Sequence, residues 1–404
     1  MLRLENPIQN YAWGSRYAIS TLLGAACPSQ KPEAELWMGA HPQAPSLVLP
    51  TRESLTDWIE RDPQRTLGAS NLEKFGPRLP FLLKVLAAET PLSLQAHPTL
   101  EQARAGFDAE QASGVPLDSA RRNYKDRSHK PELLCALTPF AALCGFRRIE
   151  DTLALFRTLD ASHGSTRGGV SYLLEGLAQL PTPAGLSQLF ATLLGLSAER
   201  RAELARETLD RCTLLAAVDG PFQHEFSWAV RIGVLYPGDI GIVSALLLNL
   251  VQLTPGEAIY LPAGNLHAYL QGVGVEIMAN SDNVLRGGLT PKHVAPAELL
   301  HVLQFQAGPV GILQGEAQDS ARVYRTPAAE FELQSFQLAP GEHPSVVERR
   351  GPEILFCQRG NVSVACAGAE LALGQGQAAF ISASEPEYTM RGEGTLFRAG
   401  VGRF

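Results

Sequence analysis

Between Gly256 and His267 the chain reads glycine, five residues, proline, one residue, glycine, two residues, histidine. The apolar run from Ala258 to Leu261 is too short for a stable helix and is closed by a Pro262/Gly264 turn. It therefore reads as a strand, and the turn presents the His267 imidazole at the start of the next strand. The residues from Glu276 to Lys292 then bring two acids (Glu276, Asp282) and two bases (Arg286, Lys292) into one short stretch. A chain organised around such a segment is a sheet protein whose polar groups sit on strands. The same spacing occurs in a plain strand pair with a stray histidine, so the segment needs partners elsewhere in the chain.

Three stretches supply candidates. From Leu79 to Ala87 a buried strand carries a single charge, Lys84. A lysine is rarely buried alone, so Lys84 should point into a cavity or meet an anion. From Pro91 to Pro98 the two-residue period sets Ser93, Gln95 and His97 on one face and Leu92, Leu94 and Ala96 on the other. A polar strand face inside a barrel is costly unless something binds to it. In the third stretch, the Lys130-Pro131 pair favours extended chain before Glu132, and alternation separates His129 from Lys130 and Glu132. His41, beside Trp37, reads as a buried, satisfied histidine, with a pocket wall as the alternative.

The Gly256–His267 spacing resembles the second of the two cupin motifs, and cupins are small β-barrels that carry a metal in their mouth. From Ile149 to about Val234 the apolar period changes to that of helices, with Ser197 as an N-cap and Glu199 in the first turn of one of them. His163 falls in a Gly/Ser stretch there and reads as solvent-exposed. Shorter helices are expected over Leu55–Leu67 and around Ala295–Leu303. Near the C-terminus, Gly376, five residues, Ser382, Ala383, Ser384, two residues and Glu387 repeat the opening template, with glutamate where histidine should be. The expected fold is mainly β: two cupin-like (jelly-roll) β-barrel domains plus an inserted α-helical domain. Residues 1–148 and 235–312 form the catalytic cupin, 149–234 the helical insertion, and 313–404 a second barrel without metal, for which a general sandwich is the alternative.

Composition excludes several classes. A net charge of −7 disfavours nucleic acid as a partner. There is no eighteen-residue apolar run for a membrane span, and Met1–Asn6 lacks an apolar signal core, which implies the cytoplasm. The six cysteines form no CxxC pair and read as reduced core thiols. Of the six lysines, four (Lys84, Lys125, Lys130, Lys292) fall in these segments, although arginine is far commoner in the chain. Compact ammonium groups suit an anion pocket or proton transfer. A first cupin motif supplies His-x-His and then glutamate; this chain offers Gln95-x-His97 and, after a long insertion, Glu132. With His267 these give two nitrogen and two oxygen ligands, a set suited to Zn²⁺ or a similar divalent ion with a fifth position open to polarise a substrate oxygen.

Six motifs in order extend the resemblance over nearly the whole chain: Asn10–Gly14, Glu35–Gly39, Leu79–Leu86, Gln95–Pro98, His129–Glu132, and Ser281–Arg286 running on to Thr290–Lys292. Together they resemble type I mannose-6-phosphate isomerases. The resemblance implies one zinc ion per chain and interconversion of mannose 6-phosphate and fructose 6-phosphate. It implies Gln95, His97, Glu132 and His267 as zinc ligands, Arg286 as an active-site residue, and Lys84, Ser93 and Lys292 at the phosphate. A monomer with a sugar phosphate as its one partner is expected. The departures are Gly272-Val273-Gly274, where an aspartate usually follows the first glycine, and Arg286-Gly287-Gly288 in place of Arg-Ala-Gly. Aldose–ketose isomerisation needs ring opening and a proton moved between C1 and C2 through a cis-enediol. Glu276, Lys130 and His129 compete to carry that proton, and Asp282 with His129 is a candidate pair for opening the ring. Two other classes stay open. A cupin oxygenase would hold Fe²⁺ by two histidines and one carboxylate, against which Gln95 argues. A non-catalytic sugar-binding cupin is disfavoured by Arg286 and Lys292 beside a complete ligand set.

Overall fold

The computed structural model describes residues 1–161, 171–346 and 348–403, so His163 lies outside the described residues. Among these residues the chain is mainly β, with two eleven-stranded antiparallel sheets and a run of helices. At the centre of the first sheet is the strand His267–Ala279. Its second half pairs with Phe81–Ala88 on one side and Glu132–Ala136 on the other. Its first half pairs with Phe140–Phe146, and His267 stands opposite Gln95. The strand changes partners at Gly272, where φ is +131° and a Cβ would lie 2.6 Å from the Phe140 ring. Only glycine fits that bend comfortably.

The two-residue period then divides these strands between two environments. Leu83, Val85, Ala87, Leu133, Cys135, Val275 and Ile277 join one core with Ile354, Phe356, Phe380 and Phe397 of the second sheet. Leu82, Lys84, Glu132, Glu276 and Met278, on the opposite face, line a cavity. The second sheet is built on the long strands Glu353–Cys366 and Tyr388–Gly400. Strand Leu2–Glu5 pairs there with Ala378–Ile381, so the first residues of the chain belong to the second sheet, with Leu4 in the shared core.

Helices Ile149–Ala161, Ser171–Gln179, Pro183–Gly195, Ala198–Ala216 and Gln223–Leu235 follow one another between the strands. Ser197 caps the fourth by accepting from the Arg200 N–H. Instead of one helix over Leu55–Leu67 there are two, Leu55–Arg61 and Pro63–Leu67. Pro63 drives Asp62 out of the helical region and takes the first position of the second helix, which Asp62 caps. Five cysteines are buried and free; Cys27, also free, is exposed, against its reading as a core thiol. Among the described residues no helix is long and apolar enough to cross a membrane.

Candidate active site

The cavity, about 600 Å³, opens over the polar face of the first sheet. Glu132 lines it, and with His97 and His267 it forms a buried cluster whose ligand atoms lie within 4.8 Å of one another. The Nδ1 of His97 lies 2.7 Å from the Asn283 carbonyl, and that of His267 lies 3.0 Å from the Asn265 carbonyl. A carbonyl only accepts, so each Nδ1 carries the hydrogen and each Nε2 is left with its lone pair. These two Nε2 atoms lie 3.4 Å from different oxygens of Glu132. Both of them, and Glu132 Oε2, are buried without a hydrogen-bond partner. Burial lowers the His97 pKa to about 4, so the ring is neutral at physiological pH and its contact with Glu132 is not an ion pair. Burial works against the Glu132 charge, yet the Lys130 ammonium holds its pKa well below the usual value. Three inward-facing buried donors without partners are what a divalent cation requires and what a closed polar core avoids. Gln95, opposite His267 and on the cavity wall, offers an amide as a fourth donor.

One wall carries a buried charge network. Lys84 Nζ lies 3.0 Å from Glu276 and 3.5 Å from Glu35; the Tyr269 hydroxyl donates to Glu276 at 2.8 Å and the Trp37 indole to Glu35 at 2.7 Å. One ammonium thus serves two carboxylates. Burial raises the Glu276 pKa, opposed by Lys84 and reinforced by Glu132. Lys84 therefore both faces a cavity and meets anions. Lys130 Nζ, two residues before the strand that Glu132 opens, lies 2.8 Å from Glu132.

Asp282 stands on the cavity wall with its Oδ1 3.3 Å from His41 Nε2 and its Oδ2 accepting from Gln43 Nε2 at 2.8 Å. His41 Nδ1 accepts from the Gln43 backbone N–H at 3.2 Å, which leaves the hydrogen on Nε2, aimed at the carboxylate. Burial works against the Asp282 charge, but the His41 hydrogen bond keeps its pKa below the usual value. His129, expected beside Asp282, faces the other way and bonds Glu330 at 2.7 Å, outside the residues that line the cavity. Alternation had separated His129 from Lys130; its partner, 201 positions away, had no local signal. Glu35 and Tyr269 are cavity residues that the sequence did not single out as functional, and His41, read as a buried, satisfied histidine with a pocket wall as the alternative, lines the cavity too. For His41 the neighbouring Trp37, now edge-on to its ring at 4.7 Å between centroids, was the available hint.

Ser93, Arg286 and Lys292 line the same cavity. Among the described residues neither cation pairs with a carboxylate. Burial lowers the pKa of Arg286, and burial together with the Arg286 charge lowers that of Lys292. Two neighbouring cations without a counter-ion favour an anionic ligand. Arg286 stands opposite Gln95 in the strand pairing, toward the metal-ligand end.

The comparisons agree with this geometry. The family described as phosphomannose isomerase type I, catalytic domain, matches residues 1–149. The mannose-6-phosphate isomerase of Escherichia coli (strain K12) is 40% identical, over 98% of this chain and 99% of its own length. The human protein of that name is 35% identical over 75% of this chain and 72% of its own. A zinc-bound mannose 6-phosphate isomerase superposes over 100% of this chain and 99% of its own with a TM-score of 0.88 at 39% identity. Another, bound with zinc and yttrium, gives 0.88 at 40% identity, each chain covered completely. With its ligand cluster, its unpaired cations and this similarity along nearly its whole length, the chain belongs to the type I phosphomannose isomerase family.

Proposed function

We propose that the protein interconverts mannose 6-phosphate and fructose 6-phosphate through a cis-enediol, with one zinc ion held by Gln95, His97, Glu132 and His267. What carries this reading is a cluster of three buried metal-ligand atoms without hydrogen-bond partners whose Glu132 lines the same cavity as Arg286 and Lys292, two cations that pair with no carboxylate among the described residues. Zinc bound there would supply Lewis-acid polarisation of the substrate oxygens. Lys292 and Ser93 take the phosphate. Arg286, a planar fork beside the metal-ligand strand, stabilises the charge that develops on the enediolate. Asp282, oriented by His41 and Gln43, takes the proton of the C1 hydroxyl and returns it to the ring oxygen, which opens the ring. Glu276 then removes the C2 proton and delivers it to C1, while the hydroxyl proton passes from O2 to O1. Its raised pKa and its hydrogen bond from Tyr269 support that role over Lys130, whose ammonium is engaged with Glu132. Lys84, between Glu276 and Glu35, keeps Glu276 from becoming neutral and is not needed at the phosphate. The outward bond of His129 to Glu330 removes it from both tasks.

With this activity goes the finer architecture: two cupin-type barrels, 1–148 with 235–312 and 313–404, a helical insertion at 149–234, and a metal in the first barrel alone. The expected setting is a cytoplasmic monomer whose one partner is the sugar phosphate. A coupled assay on mannose 6-phosphate in deuterated water tests the reaction. Conversion with deuterium incorporated at the transferred position is expected; conversion with no incorporation in either direction would replace the enediol with a hydride shift, and no conversion would remove the activity itself.

A further inference from the structure

The segment that leaves the helical block runs directly to the loop that carries both cations. Asp239 accepts from the Gly241 N–H with Oδ1 at 2.8 Å and from the Thr290 N–H with Oδ2 at 3.2 Å. Both carboxylate oxygens are thus committed to backbone, one on its own segment and one between Arg286 and Lys292. The two segments touch closely. A Cβ on Gly288 (φ +134°) would lie 3.0 Å from the Gly241 Cα and 3.1 Å from Asp239 Oδ1, and a Cβ on Gly241 would lie 2.8 Å from the Leu289 side chain. Leu289, buried, has φ +56°, a conformation that an L-residue with a side chain keeps only where its surroundings hold it. The pairing with strand Leu94–Ala96 also breaks register between Arg286 and Gly288. Arg286 and Lys292 repel each other. The loop that carries them is therefore bulged, strained and loaded with like charge, and Asp239 ties it down.

We propose that Asp239 is a positioning residue for the substrate's phosphate: by holding the Thr290 amide it fixes the 286–292 loop in the form that aims Lys292 and Arg286 at one anion. This rests on the phosphate assignment given above. It assigns the segment after the helical block a part in substrate binding, which Tyr236 shares by donating to the Pro91 carbonyl at 2.8 Å, two residues before Ser93. Both oxygens of Asp239 are spent on amides, and among the described residues it pairs with neither cation.

Steady-state kinetics on mannose 6-phosphate, with inorganic phosphate as competitive inhibitor, test this in the zinc-loaded enzyme. Asp239→Ala should raise KM and the phosphate inhibition constant roughly tenfold, the scale of losing hydrogen bonds to a charged acceptor, with a smaller fall in kcat and an unchanged zinc content. Asp239→Asn, which keeps one acceptor oxygen, should fall between. If Asp239 acts through the loop, the double variant Asp239→Ala/Lys292→Ala should bind phosphate little worse than Lys292→Ala alone. Independent, multiplying effects, or wild-type constants in Asp239→Ala, would overturn the proposal while Lys292→Ala still shows a raised KM. Wild-type constants in Lys292→Ala would instead remove the phosphate assignment itself, and this proposal with it. Should Asp239→Ala fail to fold, the near-isosteric Asp239→Asn decides on the same two constants, and wild-type values there overturn the proposal.

Discussion

Glu276 shows what a single residue owes to its surroundings. Burial raises its pKa, Lys84 at 3.0 Å restrains the rise, and Tyr269 fixes one of its oxygens. As a proton carrier it must be ionised to begin the reaction from mannose 6-phosphate, and a carboxylate is lost as pH falls through its pKa. The acid limb of kcat/KM should therefore lie above the ordinary carboxyl value of about 4.3. Lys84→Met removes the group that lowers the pKa, so the limb should move to higher pH. Glu276→Gln should lose kcat by roughly 10²-fold or more. A pH–rate profile that stays in place in Lys84→Met would contradict the assignment. At this scale the sequence was informative about need and silent about partner. A lone lysine in an apolar strand had to meet an anion, and it meets two. Which two depends on strand register, which sets Lys84 opposite both Glu276 and Trp37. His129 and Asp282 were misjudged as a pair for the same reason: nothing local marks Glu330 or His41 as the true partner of each.

The decisive element is the strand His267–Ala279, because it carries a metal-ligand candidate at one end and Glu276 near the other. Its short neighbour Ala258–Leu261 and the Pro/Gly turn were legible from punctuation alone, as was the polar face of Ser93, Gln95 and His97. The bend was not. Gly272 stood out only as a departure from the family pattern, whereas in the fold it is where the strand passes from one set of partners to the other. Gly272→Ala would press a methyl group against Phe140 and the Pro139 carbonyl, 2.8 Å away, at a φ that disfavours any side chain. It should destabilise the protein by about 1–3 kcal/mol, seen as a lowered urea midpoint. An unchanged midpoint would mean that the bend carries no strain. The helix expected over Leu55–Leu67 is two helices for a reason readable in the sequence, Pro63, which interrupts the apolar period.

For the molecule as a whole, the sequence conveyed two β units and a helical stretch but not how they are joined. Leu2–Glu5 adds to the second sheet, and side chains from both sheets share one core, since apolar faces far apart in sequence can meet without any local mark. The helical stretch showed no chemistry of its own in the sequence. Its bearing on the site emerges only where the segment that follows it meets the 286–292 loop. The central claim, a metal-dependent isomerase built on the His97, Glu132 and His267 cluster, is most directly tested by elemental analysis joined to chelation and reconstitution. The protein should carry one zinc per chain, lose zinc and isomerase activity together on chelation, and regain both with zinc, while His267→Ala stays folded and binds none. Full activity in the metal-free protein, or iron in place of zinc, would contradict it.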